Sequence, residues 1–152
     1  MDKHALFQQF VAFTAAVHEI SDHMTRDVRS EDITPLQYKI LEYITINQPV
    51  TLSEISDCMH ISMPNTSREL RKLSEKQLCD KVTDETDRRK QYIRLSKQGE
   101  MMMSEAFARV ESRFAERIAH LSEEELQEIE RALDLLHRRF FLLKLNKGPS
   151  HL

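Results

Sequence analysis

Apolar residues at Leu6, Phe10, Phe13, Val17, Ile20, Met24 and Val28 recur at alternating spacings of three and four. That is the period of a helix with one continuous apolar stripe, so the spacing predicts a helix from about Lys3 to Val28. Phe7, Val11 and Ala15 widen the stripe beyond what one neighbour in a small module covers. Burial within the chain and against a second subunit is therefore expected. A charged link, Arg29 to Asp32, separates it from the next pattern.

Three later patterns carry helix punctuation. Thr34-Pro35-Leu36-Gln37 places a cap, a first-turn proline and a capping-box glutamine in register, with Ile33 and Tyr38 spaced as a hydrophobic staple. Leu36, Ile40, Leu41 and Ile44 point inward, and Gln48-Pro49 ends the helix near Asn47. Val50 then suits a short edge strand. A long helix capped by Ser96 runs to about His120, with Met103, Ala106, Phe107, Val110, Phe114 and Ile118 as its stripe. The last helix opens on Ser122-Glu123-Glu124-Glu125, a capping box with Leu121 and Leu126 as staple. Its acidic first turn and the basic His137, Arg138 and Arg139 both suit the helix dipole. Ile129, Leu133, Leu136, Phe140 and Leu143 make one face, and Phe141, Leu142 and Leu145 a second, again implying burial between subunits. Lys147 to Leu152 reads as a frayed end.

Between the long helices lies a different pattern, from Thr51 to Leu95. Thr51 and Glu54 stand in capping-box register before a short helix ending at Met59. A second short helix opens at Ser62, with Pro64 in its first turn. At about 100° per residue, Thr66, Leu70 and Leu73 share one face, and Pro64, Asn65, Arg68, Arg71 and Lys72 the opposite one. An exposed face of Asn, Arg and Lys suits base edges and phosphates, and the length and connection of the pair fit a helix-turn-helix. Cys79 to Thr83 and Gln91 to Leu95 then read as two strands of a hairpin whose tip carries Arg88, Arg89 and Lys90. Such a basic tip reaches past a phosphate backbone, and Arg is favoured in a narrow minor groove. Asp87 is spaced to hold the Arg89 guanidinium in one pose.

Composition narrows the field. With 152 residues, 40% hydrophobic and 31% charged, the chain is expected to be one soluble domain. Only Gly99 and Gly148 are glycines, which excludes Gly-rich phosphate loops and favours long helices with short links. The net charge of −3 hides an uneven distribution: Ile61 to Lys97 holds ten Lys and Arg against six Asp and Glu, a surplus of four positive charges. Local potential decides where a polyanion docks, so the total does not argue against DNA. No signal peptide or membrane-spanning run is apparent, so the cytoplasm and reduced thiols are expected. Cys58, beside Ile55, Met59 and Ile61, and Cys79, on a strand, read as core thiols.

The run Asp84-Glu85-Thr86-Asp87-Arg88-Arg89, followed by Ile93-Arg94-Leu95-Ser96-Lys97-Gln98-Gly99, resembles the wing signature of the MarR family of winged-helix regulators. The resemblance is specific from Ile33 to Glu100 and one of layout in the flanks. It implies a mainly α fold with a small β-hairpin wing. Residues 33–97 would be the winged helix-turn-helix, and residues 1–32 and 98–152 dimerisation helices of one MarR-like domain. It further implies a bacterial homodimer on double-stranded DNA, usually a repressor on a pseudo-palindromic operator, released by a small, often aromatic ligand. Carried over by position, Asn65, Ser67, Arg68 and Arg71 would face the major groove and Arg89 the minor groove. The family often has glycine where this chain has Gln77. A left-handed Gln costs about 1 kcal/mol, which predicts a helix end built differently here.

Other chemistries are weaker. No Walker loop, GxSxG or CxxC pair is present, so an enzyme is not expected. In His18-Glu19-Ile20-Ser21-Asp22-His23 the second histidine falls one residue too late for a zincin helix. A metal-sensing regulator of the same fold is the alternative, with His18, Asp22, His23, His60 and His120 as candidates, although solvated histidine is the default and no metal or cofactor is expected. Phe13, Val17 and Met102 are candidates for a ligand site, and the Met101 to Met103 cluster reads as core filling more than as a pliable pocket.

Overall fold

The computed structural model describes residues 1–142. The expectations for Leu143, Leu145 and Lys147 to Leu152 lie outside them. The chain forms two compact units, the first from Met1 to Arg113 and the second from Phe114 onward.

In the first unit, α1 (Lys3–Thr25) is followed by α2 (Pro35–Asn47), α3 (Leu52–Met59), α4 (Met63–Glu75), β1 (Cys79–Thr83) and β2 (Gln91–Leu95). Helix α5 (Lys97–Ile118) begins in this unit and continues into the second. Both strands have the limits expected from the sequence. They pair antiparallel with Cys79 opposite Leu95 and Thr83 opposite Gln91. Val50 adds an isolated bridge to Ile93, its N–H donating to the Ile93 carbonyl at 3.0 Å. The Gln48 side chain accepts the Leu95 N–H at 2.9 Å, so the end of α2 is fastened to the hairpin. The Gln48–Pro49 peptide is cis.

The core gathers Ile40, Leu41 and Ile44 of α2, Ile55 of α3, Leu70 and Leu73 of α4, Leu78, Ile93 and Leu95 of the hairpin, and Met103 and Ala106 of α5. Full burial of each large aliphatic side chain contributes about 1.5–3 kcal/mol, which fixes the short helices that alone would be marginal. The caps are local and mostly as expected. The Thr34–Gln37 capping box is complete. At α3 only half of the expected box forms: Thr51 Oγ1 accepts the Glu54 N–H, but the Glu54 carboxylate takes the Thr51 hydroxyl, not its N–H. Ser96 Oγ accepts the Gly99 N–H and caps α5. A Cβ on Gly99 would press into the Leu78 carbonyl oxygen, so glycine at this position lets α5 start hard against the first strand.

Helix α1 ends at Thr25, short of Val28, which is buried beyond it. The Arg113 guanidinium takes the loose end, donating to the Met24 and Arg26 carbonyls at 2.8 and 2.5 Å. No α1 residue is fully buried, and Leu6, Phe7, Val11, Phe13 and Val17 stand exposed.

The end of α4 corrects the sequence expectation. Gln77 does adopt the left-handed conformation, with φ of 62°. Its N–H donates to the Ser74 carbonyl, and the Leu78 N–H to the Leu73 carbonyl, both near 3.0 Å. This is the Schellman arrangement that glycine usually completes, and the buried Leu73 and Leu78 supply its apolar contact. The steric cost of a left-handed Gln is thus absorbed without altering the helix end. Gln77→Gly should raise stability by about 0.5–1 kcal/mol, in urea denaturation at matched protein concentration. A loss of stability would mean that Gln77 makes a contribution beyond its backbone.

The second unit contains the end of α5 and α6 (Glu123–Leu136), which passes into a π turn at His137–Phe141. The Ser122–Glu125 capping box is complete. Ile129, Leu133 and Leu135 are exposed, as are Phe140, Phe141 and Leu142.

Candidate nucleic-acid interface

Helices α3 and α4 meet through a turn that buried polar groups hold. His60 takes the left-handed conformation at the end of α3. The buried Ser56 hydroxyl donates to the Ile61 carbonyl at 2.6 Å, and the Ile61 N–H returns to the Ser56 carbonyl at 3.3 Å. Ser62 Oγ caps α4 by accepting the Asn65 N–H. Thr66, Leu70 and Leu73 then point into the core. Pro64, Asn65, Ser67, Arg68, Arg71 and Lys72 are all exposed, as the helical period requires. Arg68 and Arg71 enter no ion pair among the described residues, whereas Lys72 Nζ lies 3.2 Å from Glu69 Oε1.

The hairpin tip is built by two aspartates. Asp84 Oδ1 accepts both the Thr86 N–H at 2.9 Å and the Thr86 hydroxyl at 2.8 Å. These bonds, the backbone one foremost, hold the Asp84 carboxyl below its usual range. Asp87 Oδ1 accepts the Arg89 backbone N–H at 3.0 Å, and the Lys90 N–H reaches the Asp87 carbonyl at 3.0 Å. The carboxylate does not hold the Arg89 guanidinium; it folds the turn that presents Arg88, Arg89 and Lys90 to solvent. The sequence spacing was compatible with both roles, and a backbone N–H two residues on is the nearer donor. Asp87→Ala should therefore weaken DNA binding about 2- to 10-fold per wing by loosening the turn, although it removes a negative charge. Asp87→Asn keeps the acceptor oxygen and should bind as well as wild type or better. Fluorescence anisotropy at one fixed salt concentration separates these, and tighter binding by Asp87→Ala would sink the turn-forming role.

Residues without a sequence signal complete the surface. Ser67 lines a cavity of about 50 Å³ with Leu52, Leu70, Lys81, Gln91 and Ile93, so Lys81 and Gln91 of the strands flank the groove beside α4. Gln37, buried at the start of α2, donates to Glu69 Oε2 at 2.9 Å. That bond, followed by the Lys72 contact, keeps the Glu69 carboxyl low against the opposing effect of burial. Lys76 donates to the Asp32 carbonyl and to Gln37 Oε1. The Gln37–Glu69, Lys76–Gln37 and Lys76–Asp32 links are not visible in local sequence, since their partners lie 32 to 44 residues apart.

The thiols divide. Cys79 is buried, and desolvation, then Asp80, pushes its thiol up to about 12. Cys58 is exposed, contrary to the expected core position, because α3 turns Ile55 and Ser56 inward and leaves its neighbour on the solvent flank. Partial desolvation still raises the Cys58 thiol above its ordinary value, away from the reactive thiolate. No group of three or more His, Cys, Asp or Glu able to hold a metal ion occurs among the described residues. Of the three candidate ligand residues, Met102 lines an open cleft of about 380 Å³ with Ser30, Asp32, Ile33, Lys76, Leu78 and Gln98; Phe13 and Val17 do not line it. In the methionine cluster Met103 fills the core, whereas Met101 is exposed.

The MarR family model matches residues 31–90, which contain α2, α3, α4 and most of the hairpin. The HTH-type transcriptional regulator MhqR of Bacillus subtilis strain 168 is 25% identical over 118 residues, 78% of this chain and 81% of that protein. A MarR family protein from Bacillus stearothermophilus has the same fold, with a TM-score of 0.76 at 22% identity over 91% of this chain and 96% of that one. S. aureus MepR bound to ethidium bromide superposes with a TM-score of 0.62 at 23% identity, over 91% of this chain and 96% of the other. No described helix is long and apolar enough to cross a membrane. The basic helix-turn-helix, the wing folded by Asp87 and these likenesses agree: residues 31–90 match the MarR family, the fold is that of MarR-family structures, and together they support a MarR-type winged-helix, DNA-binding transcriptional regulator.

Proposed function

We propose that this regulator acts in the cytoplasm as a two-fold dimer, repressing transcription from a pseudo-palindromic operator until a small ligand releases it. One observation carries the DNA-reading part. A single unit exposes Arg68 and Arg71 on α4, free of ion pairs among the described residues, together with a basic hairpin tip folded by its own aspartates. In this reading Asn65, Ser67, Arg68 and Arg71 contact the major groove, Pro64 and Lys72 flank it, and the Asp87 turn delivers Arg88, Arg89 and Lys90 to the backbone and minor groove. Selection of bound sequences from a random duplex pool tests this directly. It should return a two-fold-related motif with half-sites about one helical turn apart. Recovery of no motif would overturn it.

The dimer reading rests on the exposed apolar residues of α1 and, separately, those of α6. Apolar surface on this scale is unusual on a monomer. Light scattering at micromolar concentration should give twice the chain mass, and a well-behaved monomer would count decisively against a dimer. The ligand reading rests on the open cleft and on the ethidium-bound relative. In this reading the ligand is a small aromatic compound. Lys76 lines the cleft and also holds the Asp32 carbonyl, so a ligand there has a route to the end of α4.

A further inference from the structure

Glu69 is an anomaly on a helix built to meet DNA. It stands one residue after Arg68 and three before Lys72, and adds a negative charge beside the groove-facing side chains. Its side chain is only 17% exposed, whereas that of Lys72 is 50% exposed. One carboxylate oxygen receives the buried Gln37 amide at 2.9 Å, and the other faces Lys72 Nζ at 3.2 Å. Gln37 is itself fixed, because its Oε1 accepts the Thr34 N–H in the α2 cap and a bond from Lys76. An exposed ion pair is normally worth little, since two flexible side chains must be ordered to form it. Here the acid is already ordered by Gln37, and only the lysine loses freedom.

We propose that Glu69 is a positioning residue for Lys72: held from behind by Gln37, it draws the ammonium off the phosphate backbone and so tilts binding away from arbitrary duplex and toward the operator. The inference rests on the DNA-reading function proposed above. A loose lysine at this place gains counterion-release energy on any sequence, because every duplex offers the same phosphates. A tethered one gains less there, while Asn65 and Arg68 on the same face keep whatever they gain from bases.

A mutant cycle tests this with Glu69→Gln, which keeps an oxygen for the Gln37 amide and removes the charge. Binding is measured by anisotropy at several salt concentrations. The two probes are a mixed-sequence duplex roughly three helical turns long and the motif recovered from the random pool. Glu69→Gln should tighten the mixed-sequence complex roughly 2- to 5-fold per module and steepen its log–log salt slope by about 0.9 per module. The ratio of operator to mixed-sequence affinity should fall. In a Lys72→Ala background the same substitution should change neither quantity. An equal gain with and without Lys72 would show that Glu69 acts by its own charge, and would overturn the proposal, as would no change in either background. If wild type fails to bind either duplex in a salt-dependent way, the DNA reading falls and takes this inference with it. Wild-type binding with an additive cycle overturns this inference alone.

Discussion

Raising salt from 50 to 200 mM should weaken duplex binding by about 10³- to 10⁵-fold, although the chain carries a formal net charge of −3. The reason is where the charge lies. Arg68, Arg71, Lys72, Arg88, Arg89 and Lys90 are exposed on one unit, and Ile61 to Lys97 carries the chain's positive surplus. Each neutralised phosphate adds about 0.9 to the log–log slope, so a slope of about −6 needs roughly seven contacts from a dimer. Two copies of the six named side chains offer more than that, so the slope holds even if Lys72 stays tethered to Glu69. Acidic residues elsewhere on the chain are screened over a Debye length of about 14 Å at 50 mM and about 7 Å at 200 mM, so the local surplus governs docking. Anisotropy titrations in a potassium chloride series measure the slope. A near-flat dependence would mean that α4 and the hairpin tip are not where DNA docks.

What was legible in the sequence was short-range. Capping boxes, strand limits and the buried face of α4 depend on residues within a few positions of one another, and Thr34–Gln37, Ser122–Glu125 and Thr66–Leu70–Leu73 formed as their spacing requires. Three features failed for identifiable reasons. Cys58 lies on the flank of a helix only eight residues long, where spacing does not decide which neighbour of Ile55 is covered. Asp87 had two donors within reach, and the backbone N–H of Arg89 took the oxygen. The steric cost of a left-handed Gln77 alone points to a different helix end, but burial of Leu73 and Leu78 with two carbonyls satisfied outweighs about 1 kcal/mol. The Gln37–Glu69 link had no local signal, because it exists only once α2 and α4 pack, whereas Glu69 and Lys72 are i,i+3 neighbours within α4. The proposed reading surface was therefore visible as a list of side chains, and the links that set their poses were not.

The side chain with most to lose is Arg68. It sits at the centre of the exposed face of α4, with Asn65 one turn before it and Lys72 one turn after. Unlike Lys72, it has no ion-pair partner among the described residues, so its guanidinium is available for a bidentate contact with a base edge. Such a contact is worth about 1–3 kcal/mol of discrimination, and two well-separated copies in a dimer give about 2–6 kcal/mol. Arg68→Ala should cost that much on the selected operator and far less on mixed-sequence duplex. Its loss of preference should be confined to one position in each half-site. Arg89 is the contrasting case. The Asp87 turn projects it from a hairpin tip that reaches phosphate or a minor groove, which carry a degenerate code. Arg89→Ala should weaken all duplexes by similar factors, with some loss of A·T preference in the flanks. The pair is read on a panel of single-base operator variants. Uniform weakening by Arg68→Ala across that panel would make Arg68 another phosphate contact and move sequence reading to Asn65, Ser67 or Arg71.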